Sequence, residues 1–464
     1  MAQEHNYTIE NFDPEVLREY DIRGVVGENI NDNTAYTIGR AFGHTVRSKL
    51  PSNTIVTGYD GRLTSPALHK TLCEGLKDSG AKVINIGMGP TPMTYFAHYH
   101  LNADAAIMVT GSHNPSEYNG MRFRHDDGTG FTKENEIIKD LFENNEFHLV
   151  PWNELGGISY LNSEECVDQY LDFILKKTYV ERKLKVVLDL GNGVSALSAP
   201  KAFEISGAKV FTINDSIDGT FPGRPSEPNN KTLGSLKDTV IDKKADFGAG
   251  YDGDGDRVIF IDDEGRLVSS ENIGILISRE LLKKKGGTIV ANIECSMIID
   301  EEIQKLGGKV IRVRVGDVFI SEAIKKHNAL FALETSAHFF FPDFYPFDDP
   351  LITSMKLGQI LSKSNQKFSD IVDEIPHYPK ITKNFSCHDN IKFRVMERII
   401  TIWSKRGYKL DLTDGAKVSF EDGWALLRPS NTTPLIRASV EANSKNRVRE
   451  LMRMVEKDFT GACE

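Results

Sequence analysis

The sequence predicts an α/β fold: three tandem α/β domains of βαβ repeats with mixed sheets, then a C-terminal α+β domain, arranged around a central cleft. Three observations predict it. An apolar strand, a helical pattern, a Gly-(Ala or Gly)-Lys-Val turn and a second apolar strand recur as a unit three times. Each copy is followed by a further apolar strand that runs into a polar loop. From about Pro376 the pattern changes to a helix, strands and a closing helix.

The copies start at Ile55-Val56-Thr57, Val186-Val187-Leu188 and Ile289-Val290-Ala291, and their turns are Gly80-Ala81-Lys82-Val83, Gly207-Ala208-Lys209-Val210 and Gly307-Gly308-Lys309-Val310. Each turn glycine falls where a helix C-cap belongs. The following strands, 105–110, 247–251 and 329–333, lead into Gly111-Ser112-His113-Asn114, Asp252-Gly253-Asp254-Gly255-Asp256 and Glu334-Thr335-Ser336-Ala337-His338. Ligands of parallel α/β sheets collect at the carboxyl ends of strands, so the three loops are candidate parts of one site. In the last region a helix is expected near Ile391 to Trp403, strands near Val418 to Leu427 and Ile436 to Glu441, and a helix near Lys445 to Val455. At 464 residues the chain is long enough for three or four domains, given about 150 residues per domain. The repeat spacing and polar, proline-containing stretches divide it at 1–155, 156–260, 261–372 and 373–464.

Hydrophobic residues make up 40% and charged residues 26%, proportions that exclude disordered and fibrous classes. A net charge of -10 argues against a general nucleic-acid surface, which needs Lys and Arg to neutralise phosphates. Cys73, Cys166, Cys295, Cys387 and Cys463 are far apart, so they form neither a disulfide framework nor a zinc site. The first ten residues are polar and no apolar run is long enough to cross a bilayer. The expectation is a cytoplasmic protein without a membrane partner, monomeric or a small homo-oligomer.

Asp252, Asp254 and Asp256 alternate with glycine; in extended backbone such alternation sends three carboxylates to one side. Three hard oxygen donors suit Mg²⁺ or Ca²⁺, and magnesium fits phosphate chemistry; a solvated Asp-Gly turn is the plainer alternative. Arg257 places a guanidinium beside that loop, able to hold a phosphoryl or serine oxygen, or simply to make a surface ion pair. Thr110-Gly111-Ser112-His113-Asn114-Pro115 presents a hydroxyl nucleophile at a strand end, although alone it also reads as an Asn-Pro turn. Arg428-Pro429-Ser430-Asn431-Thr432, with Arg437 beyond, offers guanidinium forks, hydroxyls and turn amides that suit a phosphate dianion or, equally, a polar hairpin. Glu334, Ser336 and His338 alternate, so an extended segment would turn all three toward sugar hydroxyls; a core histidine beside an edge glutamate is the alternative. Tyr20-Asp21-Ile22-Arg23-Gly24 by itself is a charged turn.

Taken together and in order, these five motifs resemble the α-D-phosphohexomutase family over nearly the whole chain, and the phosphomannomutase/phosphoglucomutase branch most closely. The resemblance implies four domains around a deep cleft. It implies that Ser112 carries a phosphoryl group and that Asp252, Asp254, Asp256 and a Ser112 phosphate oxygen hold Mg²⁺. A hexose 1,6-bisphosphate would form as intermediate and serve as activator or primer, so that hexose 1-phosphate and 6-phosphate interconvert. It further implies that Arg428, Pro429, Ser430, Asn431, Thr432 and Arg437 bind the phosphate that is not reacting. Glu334, Thr335, Ser336, Ala337 and His338 would read the sugar, and Tyr20 and Arg23 would line the reacting end. His113, Arg122 and Arg257 become candidates for positioning or proton transfer, with Arg257 better suited to electrostatic stabilisation because an arginine does not release its proton.

Two departures stand out. Arg122 occupies the place of the family's usual lysine, and Ala337 replaces the glycine between Ser336 and His338. The sugar phosphate is read as mannose or glucose because Gly111 in the serine loop and Ser430-Asn431-Thr432 in the phosphate loop fit that branch of the family, with phosphoglucosamine mutase as the nearest alternative. A metal-dependent phosphatase and a non-catalytic sugar-phosphate-binding protein are the readings from other classes.

Overall fold

The computed structural model describes residues 13, 16–19, 21–49, 53–131, 133–143, 150–283, 286–430 and 434–463. They fall into two compact units, one of Met1–Ser269 with Ser336–Val372 and one of Ser270–Thr335 with Asp373–Glu464.

In the first unit, β1 (Asp21–Val25), β2 (Thr54–Tyr59), β3 (Lys82–Met88), β4 (Ala105–Val109), β5 (Tyr118–His125) and β6 (Gly157–Tyr160) form a six-stranded sheet in the order β1-β5-β4-β2-β3-β6. Strands β6, β3, β2 and β4 are parallel, and β5 runs antiparallel to both β4 and β1. The all-apolar Ala-Ala-Ile-Met-Val of β4 is buried throughout, as expected of a strand covered on both faces. The sheet's core includes Phe42, stacked on Phe123 at 4.6 Å between ring centres.

A second sheet in the same unit contains β7 (Lys185–Asp189), β8 (Lys209–Ile213), β9 (Phe247–Tyr251), β10 (Val258–Ile261) and β11 (Leu267–Val268), ordered β11-β10-β9-β7-β8. Here β8, β7 and β9 are parallel and the last two strands are antiparallel additions. Both sheets are therefore mixed, with the repeat supplying the parallel part.

The second unit contains β12 (Thr288–Asn292), β13 (Lys309–Val313) and β14 (Phe331–Leu333), all parallel with β12 in the middle. The chain passes through β15 (Phe339–Phe340), which belongs to the first unit, before returning for the C-terminal sheet. That sheet consists of β16 (Lys380–Ser386), β17 (Leu410–Asp411), β18 (Ala416–Phe420), β19 (Gly423–Pro429) and β20 (Leu435–Ala442), antiparallel in the order β16-β20-β19-β18-β17. The helices Asp389–Lys405 and Lys445–Cys463 pack on it through Ile399, Trp403, Leu451 and Val455. The expected strand region near Val418 to Leu427 is thus a hairpin, turning at 421–422.

All three repeat glycines carry the left-handed backbone that ends a helix, with φ of +86° at Gly80, +83° at Gly207 and +72° at Gly307. Among the described residues no helix is long and apolar enough to cross a membrane.

Candidate active site

Ser112 lies where β4 ends and the chain turns into β5. Its φ of +51° is left-handed, a conformation that costs a side-chain-bearing residue about 1 kcal/mol and persists only where neighbours enforce it. The Ser112 amide donates to Thr110 Oγ1 at 2.7 Å, and that hydroxyl donates to Asp60 Oδ2 at 2.7 Å. Beneath the loop the buried Arg62 guanidinium donates from Nη2 to the carbonyls of Ser112 (2.7 Å) and Asn114 (2.6 Å). Its Nη1 reaches those of Pro115 (2.5 Å) and Tyr118 (3.0 Å), while Nε binds Asp60 Oδ2 at 3.1 Å. Gly111 leaves room for this arrangement, since a Cβ there would stand 2.6 Å from Arg62 Cζ. Ser226 Oγ adds a bond to the Ser112 carbonyl at 3.0 Å.

Ser112 Oγ is 3.2 Å from His113 Nδ1. Burial, then the positive charges of Arg257 and Arg23, hold His113 well below the ordinary imidazole pKa. The ring is therefore neutral near pH 7, and Nδ1 can take a proton from the serine hydroxyl. Arg23 pairs with Asp21 at 2.6 Å and reaches Asn114 Oδ1 at 3.5 Å.

Asp252, Asp254 and Asp256 are fully buried, and one oxygen from each lies within 4.8 Å of the others. The expected convergence holds, but its cause is not extended alternation. Residues 252–257 form a bent loop with Gly255 at φ +70°. Asp252 Oδ1 closes the bend by accepting from the amides of Asp256 (3.0 Å) and Arg257 (3.1 Å). Asp252 Oδ2, Asp254 Oδ1 and Asp256 Oδ1 are buried without a hydrogen-bond donor. Three clustered carboxylates, each keeping one buried oxygen without a donor, are what a hard divalent cation requires, so the donor set fits magnesium.

The electrostatics agree. Burial, then the neighbouring Asp256 and Asp254, push Asp252 well above the usual carboxylate range, and burial and Asp256 push Asp254 up to about 6. Burial acts the same way on Asp256, yet His338, Arg122 and Arg257 outweigh it and hold that carboxyl below its ordinary value. Arg122 forms an ion pair with Asp256 and lies 4.0 Å from Asp254. Arg257 Nε stands 4.0 Å from Asp252 and 3.9 Å from Asp256, and donates to His338 Nε2 at 2.9 Å. The other ring nitrogen, Nδ1, is 2.5 Å from Asp348 Oδ2. Burial and the charge of Arg257 lower the basicity of His338, while Asp256, together with the hydrogen bond and charge of Asp348, raises it by more, but the bond from Arg257 needs Nε2 to keep its lone pair.

The loop 334–338 does not alternate either. Ala337 is at φ +70°, and the segment is a turn that divides between the units, Glu334 and Thr335 in the second and Ser336, Ala337 and His338 in the first. Glu334 Oε1 accepts from Asn292 Nδ2 (3.2 Å) and the Gly316 amide (2.9 Å). In the second unit, Arg428 at the end of β19 donates from Nε to Glu294 Oε1 at 2.9 Å, and Arg437 is its register partner on β20. Burial raises Glu294, but Arg428 prevails and holds it below its ordinary value. Pro429 ends β19, and the Ser430 carbonyl accepts from the buried Lys392 Nζ at 2.7 Å. Tyr20, Asn431 and Thr432 lie outside the described residues.

Several residues escaped the sequence reading. Asp60 and Arg62 follow β2, at the same strand end that singled out the other loops. Thr91, which donates to Asp254 Oδ2 at 2.7 Å, opens a helix and had no such signal. Glu294 and Lys392 act on site residues from far along the chain, where spacing carries no information, and Asp348 reaches His338 across a ten-residue loop that had no motif to mark it.

Comparison with known proteins matches all four domains of one family. Phosphoglucomutase/phosphomannomutase alpha/beta/alpha domains I, II and III match residues 14–149, 168–265 and 269–378, and the C-terminal domain matches 384–457. A phosphoglucomutase/phosphomannomutase of Thermococcus kodakarensis is 36% identical over 442 residues, covering 94% of this chain and 96% of that protein. A Methanopyrus kandleri protein named probable phosphoglucosamine mutase is 35% identical over 434 residues, covering 93% and 94%. The crystal structure of a phosphoglucomutase/phosphomannomutase family protein from Burkholderia thailandensis superposes with a TM-score of 0.89 at 28% identity, over 97% of this chain and 98% of that one. Aspergillus fumigatus N-acetylphosphoglucosamine mutase, in complex with GlcNAc-6P and magnesium, shares the fold at a TM-score of 0.61 and 13% identity, over 98% and 96%. The four domain matches and these relatives place the chain in the α-D-phosphohexomutase superfamily, as an isomerase-type enzyme.

Proposed function

We propose that the enzyme interconverts the 1- and 6-phosphates of mannose, glucose or both, through a phosphorylated Ser112 and a hexose 1,6-bisphosphate. The carrying observation is a serine hydroxyl in an enforced left-handed turn, beside a neutral histidine, in the same unit as three buried aspartates with one orphaned oxygen each. Asp252 Oδ2, Asp254 Oδ1 and Asp256 Oδ1 would hold Mg²⁺, which neutralises charge on a transferring phosphoryl group; magnesium is also named with the Aspergillus relative.

In the forward half-reaction the bond from Ser112 Oγ to phosphorus would break as the sugar hydroxyl oxygen takes the phosphoryl group, and the sugar's proton would pass by way of His113 Nδ1 to the freed Ser112 Oγ. In the return half the bisphosphate's other phosphoryl group would pass back to Ser112 Oγ, whose proton His113 Nδ1 would accept and hand on to the sugar oxygen left behind. Arg257 stabilises charge on the phosphoryl oxygens. Arg23 orients the reacting end through its bond to Asn114. Glu334, Thr335, Ser336 and Ala337 would meet the sugar, with Arg428, Ser430, Asn431, Thr432 and Arg437 on the phosphate at rest. Tyr20 would line the reacting end.

Glucosamine phosphate is the second reading, favoured by the relatives named probable phosphoglucosamine mutase, of which the Methanopyrus protein is one. The deciding experiment is ³¹P NMR of the protein with Mg²⁺, a trace of glucose 1,6-bisphosphate and, separately, the 1-phosphates of mannose, glucose and glucosamine. A 6-phosphate that appears with native protein and not with Ser112→Ala identifies the sugar. Release of inorganic phosphate, or no change in any tube, would overturn the mutase reading.

A further inference from the structure

We propose that Asp348 is a positioning residue for Arg257, acting through His338 by fixing which ring nitrogen carries the proton. The inference rests on the role given above to Arg257.

Three buried groups form a relay. Asp348 Oδ2 is 2.5 Å from His338 Nδ1, and His338 Nε2 is 2.9 Å from Arg257 Nε. An arginine Nε can only donate, so His338 Nε2 must accept, and its single proton then belongs on Nδ1. Asp348 is the acceptor that keeps it there. With the proton on Nε2 instead, two donors would face each other and the Arg257 side chain would have to turn away.

Local structure makes the relay rigid. Phe339 and Asp349 join through a backbone hydrogen bond at 2.9 Å, and Phe340 bridges to Asp348 in antiparallel register. His338 and Asp348 thus sit on opposite arms of one tight loop. The Val258 amide, next to Arg257, donates to the Ala337 carbonyl at 3.4 Å, joining the start of β10 to the histidine's arm. Asp348 is completely buried, and its Oδ1 has no donor, so its charge is directed at the ring.

The consequence concerns the rest of the guanidinium. Nε is taken by His338, and among the described residues neither Nη of Arg257 donates to a protein group. Holding Nε fixes the plane of the fork and leaves both Nη groups for an anion, the geometry in which arginine binds phosphoryl oxygens best. Partners that orient a metal ligand from behind typically cost about 10–100-fold in affinity or activity when lost, and a loss of that order is expected for a partner that orients Arg257.

The test combines Asp348→Asn kinetics with ¹⁵N NMR of the histidine rings, His338 being assigned by its loss in His338→Gln. The native ring should carry one proton, on Nδ1, with Nε2 bare. Asp348→Asn should lower kcat about 10–100-fold with KM nearly unchanged. In a His338→Gln background, where the amide oxygen accepts from Arg257 without help, Asp348→Asn should do little more. A native ring protonated on Nε2, an unchanged kcat, a change confined to KM, or full additivity with His338→Gln would each overturn the proposal. Should Asp348→Asn not fold, the native ring spectrum decides alone. Native protein inactive on every sugar 1-phosphate would instead count against the mutase reading, because the ring spectrum does not depend on turnover.

Discussion

Arg122, on β5 opposite Asp21 of β1, is ion-paired with Asp256 of the acidic loop. A permanent cation therefore stands against one of the three carboxylates that would hold magnesium. Replacing it with a neutral side chain leaves the acidic loop more negative. Arg122→Gln should tighten Mg²⁺ binding by about tenfold, roughly 1.4 kcal/mol, as read by isothermal titration calorimetry. Unchanged or weaker binding would mean that Arg122 does not oppose the ion.

The backbone of Ser112 supplies a second prediction. Ser112→Ala and Ser112→Gly should both lose turnover, since each removes the hydroxyl. They should differ in stability, because alanine keeps the cost of the left-handed turn and glycine does not. Ser112→Gly should be the more stable by about 1 kcal/mol, measured by urea unfolding. Equal stabilities would show that the turn stores no strain.

Arg62 makes four bonds to carbonyls of the serine loop, and these need a planar fork. Lysine keeps the charge and offers one ammonium in its place. Arg62→Lys should destabilise the protein by about 2–4 kcal/mol, because several buried carbonyls lose their donor, and should lower kcat by loosening Ser112. A thermal melt and an activity assay read the two effects. A variant as stable and as active as the native protein would remove Arg62 from the account.

Acid should weaken the first unit over a definite range. Burial lowers His69 to about 3 and His98 to about 4, whereas both titrate near 6.5 when unfolded. Between those limits the unfolded chain binds more protons than the folded one. Stability is thus full above about pH 6.5 and falls as the pH drops toward 4, by about 1.4 kcal/mol per pH unit for each histidine. His98→Gln should flatten that slope in unfolding curves taken across the range, and an unaltered slope would rule His98 out.

Much of this architecture is legible in the sequence because repetition is. The three Gly-x-Lys-Val turns mark three parallel cores, and the loops after β4, β9 and β14 mark where chemistry collects. The antiparallel strands β1 and β5 lie outside the repeat and give no such signal, whereas β10 shows itself only by its apolar run Val258-Ile259-Phe260-Ile261. Strand β16 is hidden for another reason: most of its residues are exposed, so its alternation has no apolar half to reveal it. Within the candidate site, the alternation of the three aspartates and the hydroxyl of Ser112 at a strand end could be singled out from sequence, but the conformation could not. Gly255 and Ala337 bend loops that alternation would have drawn straight. Arg62, Thr91 and Asp348 act through contacts that only folding creates.

The bond between Arg428 and Glu294 has a consequence for how firmly the C-terminal loop can hold an anion. A phosphate held there, as proposed, would meet an arginine already bound to a carboxylate, and so would share or replace a partner rather than fill an empty hand. The loop's hold would then be the difference between two ion pairs, smaller than either alone. Such an exchangeable grip would suit the proposed bisphosphate, which must present each of its two ends in turn.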